Sequence, residues 1–235
     1  MKVVLIASTH MWSGNVFMAG IPFRHQVSAT DADNLAELAG RNCYQSWDRP
    51  NPKTATNSGY LANILAQEHF SVLEHASATF YVEGVSRSFT HELIRHRHFS
   101  FSELSQRYVD MADVEYVLPP AVMTSDRNAI WASDDVEAAF DYAKQQYFEV
   151  SDKLDALPKK QRREAARAVM PNCTETKIVV SGNLRAWRDM LKKRHHVAAD
   201  AEIQLFAGKV LSALRELAPN SFQDIPIKPY GSKDA

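Results

Sequence analysis

The chain has 235 residues, 45% hydrophobic and 23% charged, with a formal net charge of −1. That is enough apolar material for one large domain with a sizeable core, and the near-neutral balance weighs against a nucleic-acid binder, which usually carries a global basic excess. Two cysteines, Cys43 and Cys173, lie far apart without metal-ligand spacing, so a reducing cytosol fits better than a disulfide framework. Each reads as a small buried hydrophobe. The apolar run in the opening MKVVLIAS is too short for a signal segment or a membrane span, and no later stretch approaches eighteen apolar residues. A cytoplasmic protein without a membrane partner is expected.

In chain order, Val3 to Ala7 reads as a buried strand, and Gly14, Gly20 and Pro22 punctuate a loop. Thr30 with Asp33 marks a helix start, Leu35 and Leu38 recur at helical spacing, and Arg41 to Tyr44 close the helix as a partly buried end. Leu61, Ile64 and Leu65 mark a second helix that runs into HFSVLEH. His69, Ser71 and His75 suggest a metal cluster by composition, but one helix-end grouping without cysteine or an HExxH pattern argues against it, and no metal is expected. Ser77 to Val82 alternates Ala78, Phe80 and Val82 against polar neighbours, the period of a strand with one buried face.

Ser86 can cap the next helix, whose apolar stripe is Phe89 and Leu93, with His96 on nearly the same face. Ser88, Glu92 and Arg95 form a polar stripe. The stretch from Arg95 to Tyr108, RHRHFSFSELSQRY, packs three arginines, two histidines, three serines and three aromatic rings into fourteen residues. After His98 the helical period is lost, which predicts a loop wrapped around a ligand. Two cations about 6 Å apart repel by roughly 3 kcal/mol at an effective dielectric of about 20, so Arg87, Arg95, Arg97 and Arg107 converge only with compensation. Phosphate oxygens supply it through the guanidinium fork. Charge spacing alone is equally compatible with a solvated basic helix whose charges point apart.

Downstream, Val114 to Leu118 reads as a strand stopped by Pro119 and Pro120. Asp134 and Glu137 look like a cap and its partner, opening a helix with Val136, Phe140, Ala143, Tyr147, Val150 and Leu154 on one side. Gln161 to Met170 predicts a short helix and Thr174 to Val180 a strand. Asn183 can cap a helix with Leu184, Trp187 and Leu191 as its stripe, and Arg194 falls on the same stripe. An arginine there needs a partner, unless it snorkels at the helix C-terminus. His195 and His196 read as surface helix-end residues. The last helix carries Ile203, Phe206, Val210, Leu211, Leu214 and Leu217, and Pro219 ends it. The expected class is α+β, a central sheet flanked by helices, in one domain over residues 1–235.

Arg95, His96 and Arg97, seven intervening residues and Ser105 reproduce the RHR-x7-S signature of the flavin-dependent thymidylate synthases. Gln106, Arg107 and Tyr108 resemble it as well. So do His69, Ser71, Glu74 and His75 upstream and the segment from Arg167 through Arg194 downstream. The chain has neither a GxGxxG nor a Walker A loop, so arginines and serines would have to hold any flavin or nucleotide.

The resemblance implies the family's own mixed fold, a homotetramer with sites at subunit interfaces, and the methylation of 2′-deoxyuridine 5′-monophosphate. The methylene would come from methylenetetrahydrofolate, and the reducing equivalents from NADPH through noncovalent FAD. It places Ser71, Arg95, His96, Arg97, Glu103, Asn183, Leu184 and Arg185 at the flavin. Glu92, Leu93, Ile94, Arg95, Glu103, Leu104, Ser105, Gln106, Arg107, Arg167 and Arg194 fall at the nucleotide, and Arg87 at its phosphate. Arg194 would also stabilise negative charge developing on the uracil ring. Ser105 is read as a binding donor rather than a nucleophile, since no base is shown within its reach. Asp189 departs from the residue expected at its position and is left outside the site. Two other readings stay open: a nucleic-acid module stacking bases on Phe99, Phe101 and Tyr108, and a flavoprotein oxidoreductase acting on another substrate.

Overall fold

The computed structural model describes residues 1–49 and 51–233; Pro50 and the last two residues of the expected 1–235 domain lie outside them. Four strands form one antiparallel sheet: β1 (Lys2–Ser8), β2 (Ser77–Ser86), β3 (Ser100–Glu103) and β4 (Glu175–Asn183), in the order β1-β2-β4-β3. The helices are α1 (Ser13–Met18), α2 (Asp31–Tyr44), α3 (Asn57–Ala66), α4 (Arg87–Leu93), α5 (Arg127–Lys153), α6 (Lys159–Ala166), α7 (Leu184–Arg194) and α8 (Ala201–Leu217). This is the expected α+β class.

The alternation along β2 sets the layers. Ala78, Phe80 and Val82 are buried on the face that also carries Ile178 and Val180 of β4, and this face packs against Phe89, Leu93, Trp187, Leu191, Phe206 and Val210. Removing each large apolar side chain from water contributes roughly 1.5–3 kcal/mol before chain entropy is counted. Trp187 is the keystone: its ring meets Phe80 and Phe99 edge-on at 5.0 and 4.4 Å, and its Nε1 donates to the carbonyls of Ala78 and Gly182. Gly182 makes that packing possible, because a Cβ there would stand 2.4 Å from the Phe99 ring. The opposite sheet face is mixed, with Thr79 bonded to Ser181, Glu83 between Lys2 and Lys177, and Val4, Tyr81 and Val179 side by side between them.

Several expectations are revised. The segment after His98 is not a wrapping loop: Ser100–Glu103 pairs with β4, Phe101 opposite Val180, because that edge was unfilled. Val114–Leu118 makes only a bridge at Tyr116–Thr174, held by Val117 N–H on the Cys173 carbonyl and Glu175 N–H on the Glu115 carbonyl. The long helix begins at Arg127 with Asp126 as its cap, about two turns before Asp134. A short α1 forms where glycines suggested a loop, and the Gln161–Met170 helix is α6 followed by a 3-10 turn at Arg167–Val169. In α2 Leu35 packs partly against the core, but the fully buried positions include Ala32 and Ala36 together with the polar Asp33, Asn34, Glu37 and Arg41. Cys43 is exposed and Cys173 only partly covered, so neither is the buried hydrophobe expected. His195 is buried, its Nε2 against the Ile227 carbonyl at 3.1 Å, and is not a surface residue.

Candidate active site

Two strand-to-helix junctions build the site. β2 passes directly into α4, with the Ser86 hydroxyl accepting from Phe89 N–H, and β4 passes directly into α7, with the side-chain Oδ1 of Asn183 accepting from Ala186 N–H. Because β2 and β4 are antiparallel, these helices start at opposite ends of the strand pair, and their C-termini meet. The buried carboxylate of Glu202 on α8 anchors the first junction, accepting from both the backbone N–H and the hydroxyl of Ser86 at 2.8 and 2.6 Å.

Where the helices meet, Arg194 finds the partner that its position on an apolar stripe demanded. Its guanidinium pairs with the carboxylate of Glu92, and its Nε donates to Nε2 of His96 at 3.1 Å. Nε can only donate, so Nε2 of His96 is bare and the imidazole is neutral. Burial and then the charge of Arg194 push the His96 pKa down to about 4. Across the ring, Nδ1 faces Asp189 at 4.0 Å; at this pKa the contact is that of an N–H to a carboxylate, not an ion pair. Lys192, Lys193 and Arg194 in the last turn of α7 also sit at the negative end of its helix dipole.

A cleft of about 560 Å³ opens beside this junction. Five of the eight residues expected at a flavin line it: Arg95, His96, Arg97, Asn183 and Arg185. Glu74, paired to Arg185, lines it too, as do Asp189 and Lys193, which the sequence reading left out. Their signal was helical spacing: Asp189 and Lys193 are four apart and bonded at 2.8 Å on the face that carries Asn183's cap. The side chains of Arg95 and Arg97 are exposed and make no hydrogen bond or ion pair with the described residues. They are therefore available to a polyanion.

The other expected residues fall elsewhere. Ser71, exposed on a 3-10 turn, lines an adjoining hollow of about 320 Å³ with Cys43, Tyr44 and His69, and this hollow shares Arg185 with the cleft. Leu184 and Leu93 are core residues. Glu103 lies on β3, where it accepts from Thr90 at 3.1 Å and contacts Arg87 at 3.2 Å. A buried Nη1 of Arg87 has no hydrogen-bonded partner despite that charge contact. Ile94 and Arg167 are exposed, Gln106 is buried, and Leu104 packs with Met111, Tyr147 and Ala166. Ser105 is half-buried, and Arg107 lies over the Tyr108 ring at 5.6 Å. Within one chain, then, the flavin set is largely gathered. The nucleotide set is split between the Glu92–Arg194 junction, the Arg87–Glu103 pair and the segment after β3.

Residues 26–220 match the family model described as thymidylate synthase complementing protein. Among similar proteins, the probable flavin-dependent thymidylate synthase of Mycobacterium phage D29 is 51% identical over 98% of both chains. The flavin-dependent thymidylate synthases of Mycobacterium marinum and Mycobacterium tuberculosis are 47% and 52% identical, over 97% and 84% of this chain and 90% and 82% of theirs. With a family model spanning most of its length and relatives of this identity, the chain belongs to the thymidylate synthase complementing protein family.

Proposed function

We propose that this chain is a flavin-dependent thymidylate synthase, methylating 2′-deoxyuridine 5′-monophosphate with methylenetetrahydrofolate and with FAD reduced by NADPH. The observation that carries the reading is the cleft in which Arg95 and Arg97 of the signature, together with Arg185, present donors that, among the described residues, no acid neutralises except Glu74 at Arg185. A flavin dinucleotide fits that donor set, because its pyrophosphate supplies the anion two unpaired guanidinium groups require. When bound, the flavin supplies the redox chemistry.

The chain's own residues place the substrates and balance charge. Arg194, held between Glu92 and His96, stabilises negative charge on the uracil ring. Arg87, with a buried nitrogen lacking a hydrogen-bonded partner, takes the nucleotide phosphate. Ser105, Gln106 and Arg107 contribute donors to the nucleotide, with Arg167 beside them; Ser71 reaches the flavin from the adjoining hollow. The split of the nucleotide set supports a site completed between subunits, and we assign a homotetramer working in the cytoplasm on small molecules. No helix among the described residues is long and apolar enough to cross a membrane.

The test is optical. Purified protein should be yellow, release free flavin on heating, and change its visible flavin band when deoxyuridine monophosphate is added. A colourless protein that takes up no added FAD overturns the reading.

A further inference from the structure

The contacts around Arg194 carry an inference about Asp189 that rests on the reading above. Arg194 uses two kinds of contact. Its terminal nitrogens meet Glu92, through the carboxylate and, at 3.4 Å, the backbone carbonyl, whereas Nε points at the His96 ring. The first kind is exchangeable, since a ligand anion can replace a carboxylate that is itself partly exposed. The second is a contact to a ring whose side chain is only 5% exposed, wedged edge-on against Phe99. It exists in one tautomer alone. With the proton on Nε2, two N–H groups would point at each other and the bond would become a repulsion.

We propose that Asp189 and His96 are a positioning pair for Arg194. Asp189 keeps the imidazole proton on Nδ1, so that Nε2 holds Nε and fixes the plane of the guanidinium while its terminal nitrogens pass from Glu92 to the substrate. The charged groups around the ring agree with that assignment. On α7, Arg194 faces Nε2, Asp189 faces Nδ1, and Lys193 is bonded to Asp189. From α4, Glu92 reaches Arg194 rather than the ring. Asp189 is thus the acid set against Nδ1, at 4.0 Å.

The experiment reads the tautomer directly, by nitrogen-15 NMR of histidine-labelled protein with no nucleotide or folate added, the His96 signals being assigned by their loss in His96→Gln. The wild type should show a neutral imidazole with the proton on Nδ1. Asp189→Ala should shift the signals toward the other tautomer, and Asp189→Asn, whose amide oxygen still accepts, should restore them. In turnover assays Asp189→Ala should lower kcat about tenfold, the equivalent of one hydrogen bond of about 1.4 kcal/mol, while KM for the nucleotide moves less. His96→Gln, with an oxygen near the place of Nε2, should keep more activity than His96→Leu. A wild-type proton on Nε2, or a tautomer unchanged in Asp189→Ala, overturns the proposal. Protein with the Nδ1 tautomer that forms no thymidylate would sink the enzyme reading and leave this pair standing.

Discussion

Two arginine clusters in this chain serve opposite ends. Arg41 is almost fully buried, and every nitrogen is used: Nε on Glu37 at 2.6 Å, Nη1 on the Ser46 carbonyl at 2.9 Å, and Nη2 on the Thr54 carbonyl at 2.6 Å, with the Tyr60 ring 4.3 Å away. Glu37 in turn accepts from Gln26 and Asn57, and Arg49 approaches it at 3.1 Å. That cluster is closed, and it pins the loops on either side of α2. Around the cleft, by contrast, Arg95 and Arg97 have no partner among the described residues. A saturated arginine holds a fold together; an open one waits for a ligand. In sequence the two kinds are indistinguishable.

The sharpest way to break this contrast is Arg41→Ala. It takes from the fully buried Glu37 its closest cation and leaves the Ser46 and Thr54 carbonyls without their donor, and stability should fall by about 3 kcal/mol or more, measured by denaturant unfolding. Arg97→Ala should leave stability within about 0.5 kcal/mol yet weaken flavin retention, measured by visible absorbance after gel filtration. Equal stability losses in the two variants would erase the distinction.

Arg194→Lys keeps charge but loses the planar fork and the Nε contact to His96. Turnover should drop about 10²–10³-fold, the scale of losing one preorganised donor, while flavin binding changes little. Near-normal turnover would reduce Arg194 to a helix-end cation. A smaller effect is expected for Arg87→Ala, which should weaken nucleotide binding by about 1.5–3 kcal/mol in calorimetric titration. Unchanged affinity would assign Arg87 wholly to Glu103.

His96 makes the buried part of the site sensitive to acid. Its folded pKa, about 4, lies below the ordinary histidine value, so between pH 6.5 and 4 the unfolded chain takes up a proton that the folded one refuses. Stability from this group should therefore fall as pH drops through that window, by at most about 1.4 kcal/mol per pH unit. His96→Gln should flatten the slope in thermal unfolding; an unaltered slope would place the acid sensitivity elsewhere. The smallest effect is expected for the double variant Cys43→Ser, Cys173→Ser, which should retain turnover within about tenfold. Its complete loss in a folded yellow protein would bring back a cysteine-dependent mechanism.

Much of this was legible in the residues because periodicity is a local property. The alternation of Ala78, Phe80 and Val82, the Ser86 and Asn183 caps and the stripe of α8 all point to the elements observed. The RHR-x7-S spacing also marked the family, since its chemistry is carried by neighbours in the chain. What depended on distant partners was hidden. The alternation of Phe99, Ser100, Phe101 and Ser102 is too short to announce a strand by itself, and its hydrogen bonds go to residues some eighty positions later. The polar face of α2 reads as solvated until Asp33 is seen gripping Ser221 and Glu37 gripping Arg41 in the interior. Asp189 likewise acquires meaning only through His96, ninety-three positions earlier, because the value of a charge depends on which ring and which solvent it faces.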